Sequence, residues 1–194
     1  YQFWNASNAC CNFNDSQVDD AAFIKSLIDE ISSKASVDPK RIYVFGHSNG
    51  HFMSYKFACT YPETVAAIAG LAGAMDIDSE TCPATSPVNV LHIHGTIDET
   101  INYLGGSIFS NLYTGAEQSA KRWAGIDKCL QRPTISPAFD LIPSIQGLET
   151  TPTVYSCPTT TVELWSINGG THGPVMDSTF GLKVMDWLLA HPKK

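Results

Sequence analysis

The chain has few charged residues, and most of them are acidic. Only 16% of its 194 residues are charged, and 19 acidic residues against 12 Lys and Arg give a formal net charge of −7. A negative surface repels phosphate groups, so we expect neither nucleic acid nor a membrane as a partner. With 43% hydrophobic residues, the chain is suited to a single globular domain over residues 1–194.

A long apolar run and a recognisable leader are both lacking. The longest apolar run, residues 65–75, is too short and too rich in Gly and Ala to span a bilayer. No signal peptide is visible, yet the chain opens on Tyr1 and not on Met. We therefore expect a chain that has been processed or truncated.

The six cysteines include no C-x-x-C pair, which disfavours a metal site. Their even number indicates disulfides and export into an oxidising compartment, so we expect a secreted protein. Cys129 and Cys157 bracket a stretch rich in Pro and Thr that a disulfide would pin, and we favour that pair. The remaining cysteines would form two more bridges, whose pairing stays open: Cys10, Cys11, Cys59 and Cys82.

The most informative segment that is present is residues 42–50, Ile-Tyr-Val-Phe-Gly-His-Ser-Asn-Gly. Its first four residues are typical of a strand buried on both faces, and an apolar helical pattern follows its last. A strand, G-x-S-x-G and a helix form a nucleophile elbow, in which glycines permit a tight turn that exposes the Ser48 hydroxyl. The helix N-terminus would aim backbone N–H groups, beginning with Asn49, at an oxyanion. The alternative is a glycine-rich turn with an incidental serine.

Strands and helices alternate along the rest of the chain, which predicts an α/β fold with a mostly parallel sheet and helices on both faces. Ser16 with Asp19, and Thr114 with Glu117, resemble helix capping boxes. Residues 101–160 contain scattered prolines and are expected to form a long loop insertion, either a substrate-side lid or a surface decoration. Strands are predicted at 65–71, 88–94 and 161–167, and helices at about 16–37, 48–59, 114–124 and 180–189.

A serine nucleophile needs a base that is oriented by a carboxylate. Asp98 follows the predicted strand 88–94, and His172 follows the strand 161–167, at the ends where parallel sheets build their sites. Asp98 would hold the His172 ring, and His172 would take the Ser48 proton. Rivals are available for the acid and for the base, although their positions in the chain are less favourable: Asp76, Asp78 and His191.

The other histidines have less specific interpretations. His92 and His94 share one face of a strand, but a third metal ligand is lacking, and His94 is expected to order the turn below Asp98. His47 and His51 flank Ser48, and His47 is a candidate substrate contact, although packing or solvent is the default for both. Three aromatic residues in or near the following loop are candidate linings of an acyl pocket, of which Tyr103 is the first choice: Tyr103, Phe109 and Tyr113.

With these motifs taken together, the chain resembles the esterases that include polyhydroxybutyrate depolymerases and feruloyl esterases, within the α/β-hydrolase superfamily. The matching segments are residues 9–11, 18–20, 37–41, 46–50, 92–96 and 167–174, with Trp165 on the strand before the last of them. The resemblance implies a secreted serine carboxylic ester hydrolase with the triad Ser48, Asp98 and His172. It implies no cofactor and no metal, and it supports the pairing of Cys129 with Cys157.

Two departures from this family have consequences. His51 stands where the family usually has a small residue. The family also has strands, and a second oxyanion donor, before the segment that begins here, so the chain is expected to be N-terminally truncated. The 42–45 strand then becomes an exposed edge, to be covered by a missing N-terminal segment or by a homo-oligomer. The expected substrate is a feruloyl or short-acyl ester of plant polysaccharide, with a polyester or a catalytically silent scaffold as alternatives.

Overall fold

Four parallel strands form the centre of the fold, and two antiparallel strands extend one side. The computed structural model of the chain describes residues 2–12, 16–77, 82 and 86–194. The strands are β1 Tyr43–His47, β2 Ala67–Leu71, β3 Asn89–Gly95, β4 Gly105–Ile108, β5 Asn111–Thr114, β6 Thr134–Ile135, β7 Thr150–Ser156 and β8 Thr161–Ile167. The helices are α1 Asp20–Lys34, α2 Asn49–Thr60, α3 Ala116–Ile126 and α4 Phe180–Ala190.

The main sheet has the strand order β1-β2-β3-β8-β7-β6, and β4 pairs with β5 in a separate hairpin. Strands β1, β2, β3 and β8 are parallel, whereas β7 and β6 join antiparallel. The predicted α/β class with a mostly parallel sheet is therefore confirmed. Because the strands that precede the site are parallel, the loops after β1, β3 and β8 meet at one edge of the sheet.

Alternate residues of the strands pack on opposite faces, as strand geometry requires. Ile68 and Val90 face a core that is shared with α2 and α3, which includes Phe57 and Trp123. The opposite face packs against α4 and the segment around residues 141–145. Its strand residues and helix residues form a second buried cluster: Ala67, Ala69, Leu91, Ile93, Trp165, Ile167, Val184, Trp187 and Leu188. Helices thus cover both faces of the sheet, as predicted.

The first strand and the first helix are less buried than their patterns predict. Strand β1 is partly exposed, with Phe45 at 48%, because within the described residues it has a strand partner on one side only. Helix α1 packs Ile24 and Ile28 against the core but leaves Phe23, Leu27 and Ile31 exposed. The interpretation of 42–45 as a strand buried on both faces is therefore wrong for the described chain.

Both predicted capping boxes are wrong in detail. The N-cap of α1 is Asp19, whose side chain accepts a hydrogen bond from the N–H of Ala22. The N-cap of α3 is Gly115, because the Thr114 hydroxyl instead donates to the carbonyl of Met75.

The region 101–160 is not an irregular loop. It contains the β4–β5 hairpin, α3 and the two antiparallel strands, of which β7 pairs with β8 over seven residues from Thr150↔Ile167 to Ser156↔Thr161. Pro152 lies inside β7, and its carbonyl accepts a hydrogen bond from the N–H of Ser136. The prolines therefore do not mark a loop here. The prediction of a long loop insertion at about 101–160 is wrong for the hairpin and the two strands, whereas the helix predicted at about 114–124 is present as α3.

All six cysteines form disulfides in the structure. Cys129, beyond the end of α3, is joined to Cys157 in the turn between β7 and β8, which is the pair that the sequence favours. The pairs left open by the sequence are Cys10–Cys11 and Cys59–Cys82. The last of these ties the end of α2 to the segment after β2.

Candidate active site

The turn between β1 and α2 carries Ser48 in a strained backbone conformation. Its φ is 55° and its ψ is −120°, in a region that side chains rarely adopt, and its N–H donates to the carbonyl of Leu71 at 2.8 Å. A Cβ atom at Gly46 would overlap the backbone of Gly50, so the turn needs glycine there. The result is a partly exposed hydroxyl at the start of a helix, which is the geometry of a nucleophile elbow.

Three side chains that are far apart in sequence meet at this turn. The Nε2 atom of His172 lies 2.9 Å from Ser48 Oγ, and its Nδ1 atom lies 2.9 Å from Asp98 Oδ2. The Asp98 side chain is fully buried, whereas that of His172 is 21% exposed. This arrangement has the order and the spacing of a nucleophile, a base and an orienting acid.

The loop that carries Asp98 and the loop that carries His172 are hydrogen-bonded to each other. The N–H of Ile97 donates to the carbonyl of Gly170 at 3.1 Å, and the N–H of Gly169 donates to Thr96 Oγ1 at 2.9 Å. A Cβ atom at Gly95 would overlap the carbonyl of Gly170. Glycine at position 95 therefore allows the two loops to approach closely enough for Asp98 to reach His172.

Asp98 accepts hydrogen bonds at both carboxylate oxygens. The N–H groups of Thr100 and Ile101 donate to Oδ1 at 2.8 and 2.9 Å, while His172 and His94 contact Oδ2. Burial raises the pKa of this carboxyl, but the hydrogen bonds from His94, His172 and the backbone outweigh burial and lower the pKa to about 2. Asp98 is consequently ionised at neutral pH and can act as the negative partner of His172.

His51, the departure from the family pattern, is fully buried in the first turn of α2. Its ring occupies the space beside Gly70 and Gly73, and its Nδ1 atom accepts a hydrogen bond from the N–H of Gly73 at 3.2 Å. Burial, and then the nearby His94 and His47, lower its pKa well below the ordinary value. His51 is a neutral packing residue beneath the elbow, as the default interpretation holds.

Asn49 has a second role that sequence reasoning missed. Its side-chain oxygen accepts from the N–H of Trp4 at 2.7 Å, and its amide donates to the carbonyl of Trp4 at 2.9 Å and to Cys10 Sγ at 3.7 Å. No local pattern signals this contact, because 45 residues separate the partners. The backbone N–H of Asn49 is the first of α2 and stands outside the hydrogen bonding of the helix.

The two candidate substrate contacts have other partners. The Nε2 atom of His47 lies 2.9 Å from the carbonyl oxygen of His172 and donates to it, so His47 steadies the loop of the base. Tyr103 is 8% exposed, and its hydroxyl lies 2.6 Å from Ser166 Oγ and 3.3 Å from Glu117 Oε1. The structure therefore places Tyr103 beneath the site and not on its surface, which corrects the expectation.

The remaining candidates are also distributed differently from expectation. Tyr113 is buried and its hydroxyl accepts from the N–H of Asn102, whereas Phe109 is 80% exposed at the tip of the β4–β5 hairpin. Of the rival acids, Asp76 forms an isolated antiparallel β-bridge with Tyr113 through the backbone, and Asp78 lies outside the described residues.

His191, the rival base, packs on Trp187 at the end of α4. The two histidines of the possible metal pair, His92 and His94, are hydrogen-bonded to each other, with 3.0 Å between His92 Nε2 and His94 Nδ1. Among residues 2–12, 16–77, 82 and 86–194, no His, Cys, Asp and Glu side chains gather as a metal site of three or more ligands. Within the same described ranges, every helix is too short or too polar to cross a membrane.

Known structures show the same architecture. Acetyl xylan esterase from Aspergillus awamori superposes with a TM-score of 0.66 over 87% of this chain and 66% of that one, at 19% sequence identity. The chain therefore has the α/β-hydrolase fold. Over residues 12–123 its sequence matches the phospholipase/carboxylesterase family, and because this is more than half of the chain, the chain belongs to that family.

The curated relatives include a feruloyl esterase and a polyester depolymerase. Feruloyl esterase B of Piromyces equi is 34% identical in an alignment of length 142 that covers 68% of this chain and 25% of that protein. Poly(3-hydroxyalkanoate) depolymerase C of Paucimonas lemoignei is 39% identical in an alignment of length 77 that covers 37% of this chain and 19% of that protein. The chain thus spans a quarter or less of the length of these two relatives.

Proposed function

We propose that this chain carries the catalytic groups of a serine carboxylic ester hydrolase that works through an acyl-enzyme. The observation that carries the proposal is the continuous contact from Ser48 Oγ through His172 to Asp98, with 2.9 Å at each step. The names of the relatives, a feruloyl esterase and a poly(3-hydroxyalkanoate) depolymerase, agree with this chemistry.

The reaction follows from the geometry. His172 Nε2 takes the proton of Ser48 as Oγ attacks the ester carbonyl, and Asp98 stabilises the imidazolium that forms. The N–H of Asn49 donates to the oxyanion of the tetrahedral intermediate. Collapse of the intermediate expels the alcohol, which takes the proton from His172 and leaves the acyl group on Ser48. Water activated by His172 then releases the acid, so protein groups and water complete the cycle.

The proposed substrate is a feruloyl or short-acyl ester of plant polysaccharide. The support comes from relatives and neighbours that are named feruloyl esterase B and acetyl xylan esterase. A polyester substrate is the second candidate, because the depolymerase of Paucimonas lemoignei has the higher identity over its shorter match. Secretion is proposed with either substrate, since the three disulfides require an oxidising compartment.

The free side of β1 is proposed to be covered in the working protein, either by a further segment of chain or by a second copy. Within the described part of the chain β1 has a strand partner on one side only, and such an edge with Phe45 exposed beside it favours association.

Hydrolysis of p-nitrophenyl acetate by the wild type and by Ser48→Ala tests the activity. We expect turnover that requires Ser48 and a burst of one p-nitrophenol per active site. Equal rates in both proteins would contradict the proposal and favour a catalytically silent scaffold. Methyl ferulate, acetylated xylan and polyhydroxybutyrate, compared at equal enzyme concentration, then distinguish the substrate classes.

A further inference from the structure

A line of buried hydrogen bonds runs from Asp98 into the core and ends at Tyr55. His94 Nε2 lies 2.8 Å from the carbonyl oxygen of Ile101 and 3.3 Å from Asp98 Oδ2. His94 Nδ1 lies 3.0 Å from His92 Nε2, and His92 Nδ1 lies 2.8 Å from the hydroxyl of Tyr55. The chemistry proposed for Ser48 uses none of the three inner side chains, and all three are buried.

The partners in this line fix the direction of its protons. The carbonyl of Ile101 can only accept, so His94 carries its proton on Nε2. In a neutral ring, His94 Nδ1 must then accept, so His92 carries its proton on Nε2. His92 Nδ1 in turn accepts from the hydroxyl of Tyr55. Burial, followed by the nearby His51 and His94, lowers the pKa of His92 well below its ordinary value, which favours this neutral form.

The line of hydrogen bonds ends at Asp98 Oδ2, which is also the oxygen that His172 contacts. Asp98 Oδ2 receives His172 Nδ1 at 2.9 Å and faces His94 Nε2 at 3.3 Å. The two rings come from different elements, since His94 belongs to β3 and His172 to the loop after β8. The one Nε2 proton of His94 is shared between the carbonyl of Ile101 at 2.8 Å and Oδ2 at 3.3 Å. This shared donor restricts the rotation of the carboxylate and withdraws part of its negative charge from His172.

We propose that His94, aligned by His92 and Tyr55, is a positioning residue that aims the Asp98 carboxylate at His172 and limits how firmly His172 holds its proton. The proposal rests on the function proposed for Ser48, Asp98 and His172. A base that holds its proton less firmly is free at lower pH, so removal of the His94 donor moves the acid limb of activity upward.

Several other groups face these rings and belong in the design of the test. Ser48, Asp98 and the ring of His47, at 5.0 Å between centroids, face His172. The ring of His94 is stacked with His92 and has Tyr103 edge-on to it. The ring of His51 faces His92, and the hydroxyl of Tyr103 donates a hydrogen bond to Glu117. His47 is the exposed imidazole among them, so a His47→Gln background separates its titration from that of His172.

Two substitutions at position 94 form a matched pair. His94→Gln places an amide nitrogen near the position of Nε2 and keeps a donor for Asp98. His94→Asn is also polar and uncharged, but its amide ends near the position of Nδ1 and cannot reach Oδ2. Tyr55→Phe is a third variant, which removes only the hydroxyl that fixes the proton of His92.

The measurements are kcat and KM for p-nitrophenyl acetate across pH, and the titration midpoint of the His172 ring by NMR. In His94→Asn we expect kcat to fall about ten- to a hundredfold with little change in KM, because Asp98 is no longer held in place. The acid limb of kcat/KM and the NMR midpoint should both rise by about half to one pH unit. His94→Gln should restore most of kcat and the wild-type midpoint, and Tyr55→Phe should show a smaller rise.

Either of two results would overturn the proposal. One is a His172 midpoint that is the same in wild type, His94→Asn and Tyr55→Phe. The other is an equal loss of kcat in His94→Gln and His94→Asn with unchanged pH profiles, which is the result of a purely structural role. If His94→Asn does not fold by circular dichroism, Tyr55→Phe and His94→Gln decide. Hydrolysis that does not need Ser48 would refute the proposed function. The NMR titration midpoints of His172 would still test the positioning role of His94 in that case.

Discussion

The ring of His51 fills the space in which any residue larger than glycine at position 70 would place its Cβ atom. Gly70 lies in the buried strand β2, and His51 projects from the first turn of α2. The family departure at position 51 therefore depends on a neighbouring glycine, and this dependence can be measured.

We expect Gly70→Ala to lower the free energy of unfolding by about 1 to 3 kcal/mol, since the added methyl group overlaps a buried ring. Gly125→Ala is the matched control, because nothing lies within 4 Å of a Cβ atom at that helical position. It should be neutral or stabilise by up to about 1 kcal/mol. Urea unfolding measures both, and the double variant His51→Ala with Gly70→Ala should recover part of the loss. A Gly70→Ala protein as stable as Gly125→Ala would contradict this packing.

Asp98→Asn is expected to reduce kcat about a thousand- to ten-thousandfold on p-nitrophenyl acetate. The carboxamide oxygen can still accept from the N–H groups of Thr100 and Ile101, so its amide nitrogen faces His172 Nδ1. That contact favours the tautomer with its proton on Nε2, which cannot take a proton from Ser48. Asp76→Asn provides the control and should retain wild-type kcat. Equal kcat for the two variants would remove Asp98 from the site.

Asp127→Asn should stabilise the protein at pH 7 but not at pH 3.5. Burial raises the pKa of Asp127 to about 6, despite a hydrogen bond from the Thr160 hydroxyl at 2.6 Å. A carboxyl with a raised pKa contributes its full stability below its unfolded pKa, near 3.8, and loses it as pH rises through about 6. At neutral pH the folded state therefore carries a cost of about 1 to 3 kcal/mol that the amide avoids.

Thermal unfolding of wild type and Asp127→Asn at several pH values between 3.5 and 7.5 tests this sign. The stability of Asp127→Asn relative to wild type should increase between about pH 4 and pH 6 and then become constant. A difference that is independent of pH would contradict a buried, titrating Asp127.

The isolated chain is expected to associate through the free side of β1. The edge strand exposes Phe45, and α1 exposes Phe23, Leu27 and Ile31. Light scattering coupled to size exclusion should show a mass that grows with concentration. Val44→Pro removes a backbone donor from this strand but also risks the fold, so Phe45→Lys is the gentler test and should reduce association. A compact monomer at every concentration would show that this edge needs no cover.

The site was predictable because its residues lie at the ends of parallel strands. Short apolar segments identified β2, β3 and β8 to within two residues, and the loops after β3 and β8 then supplied Asp98 and His172. The elbow needed no tertiary information, because the glycine at position 46 leaves room for the backbone of Gly50 four residues later and so permits the tight turn. Parallel strand ends share one edge of a sheet, so the order of the chain was sufficient to bring the three residues together.

Features that depend on partners distant in sequence were not predictable. Pro152 made β7 resemble a loop, although its carbonyl is paired with Ser136. The helical spacing of apolar residues in α1 left two adjacent faces possible, and only packing decided that the partly buried face is the one with Ile24 and Ile28. The contact between Asn49 and Trp4 has no local signal for the same reason.

The backbone bonds between the Asp98 loop and the His172 loop affect how the site can move. Because Ile97 and Gly170 are bonded, carboxylate and imidazole shift together as one block when this rim fluctuates. Ser48 lies on the elbow, whose backbone is hydrogen-bonded to Leu71 and whose His47 ring is hydrogen-bonded to the carbonyl of His172. We therefore expect the distance between the Ser48 hydroxyl and the His172 ring to vary more than the contact between Asp98 and His172, with the hydrogen bond from His47 limiting that variation.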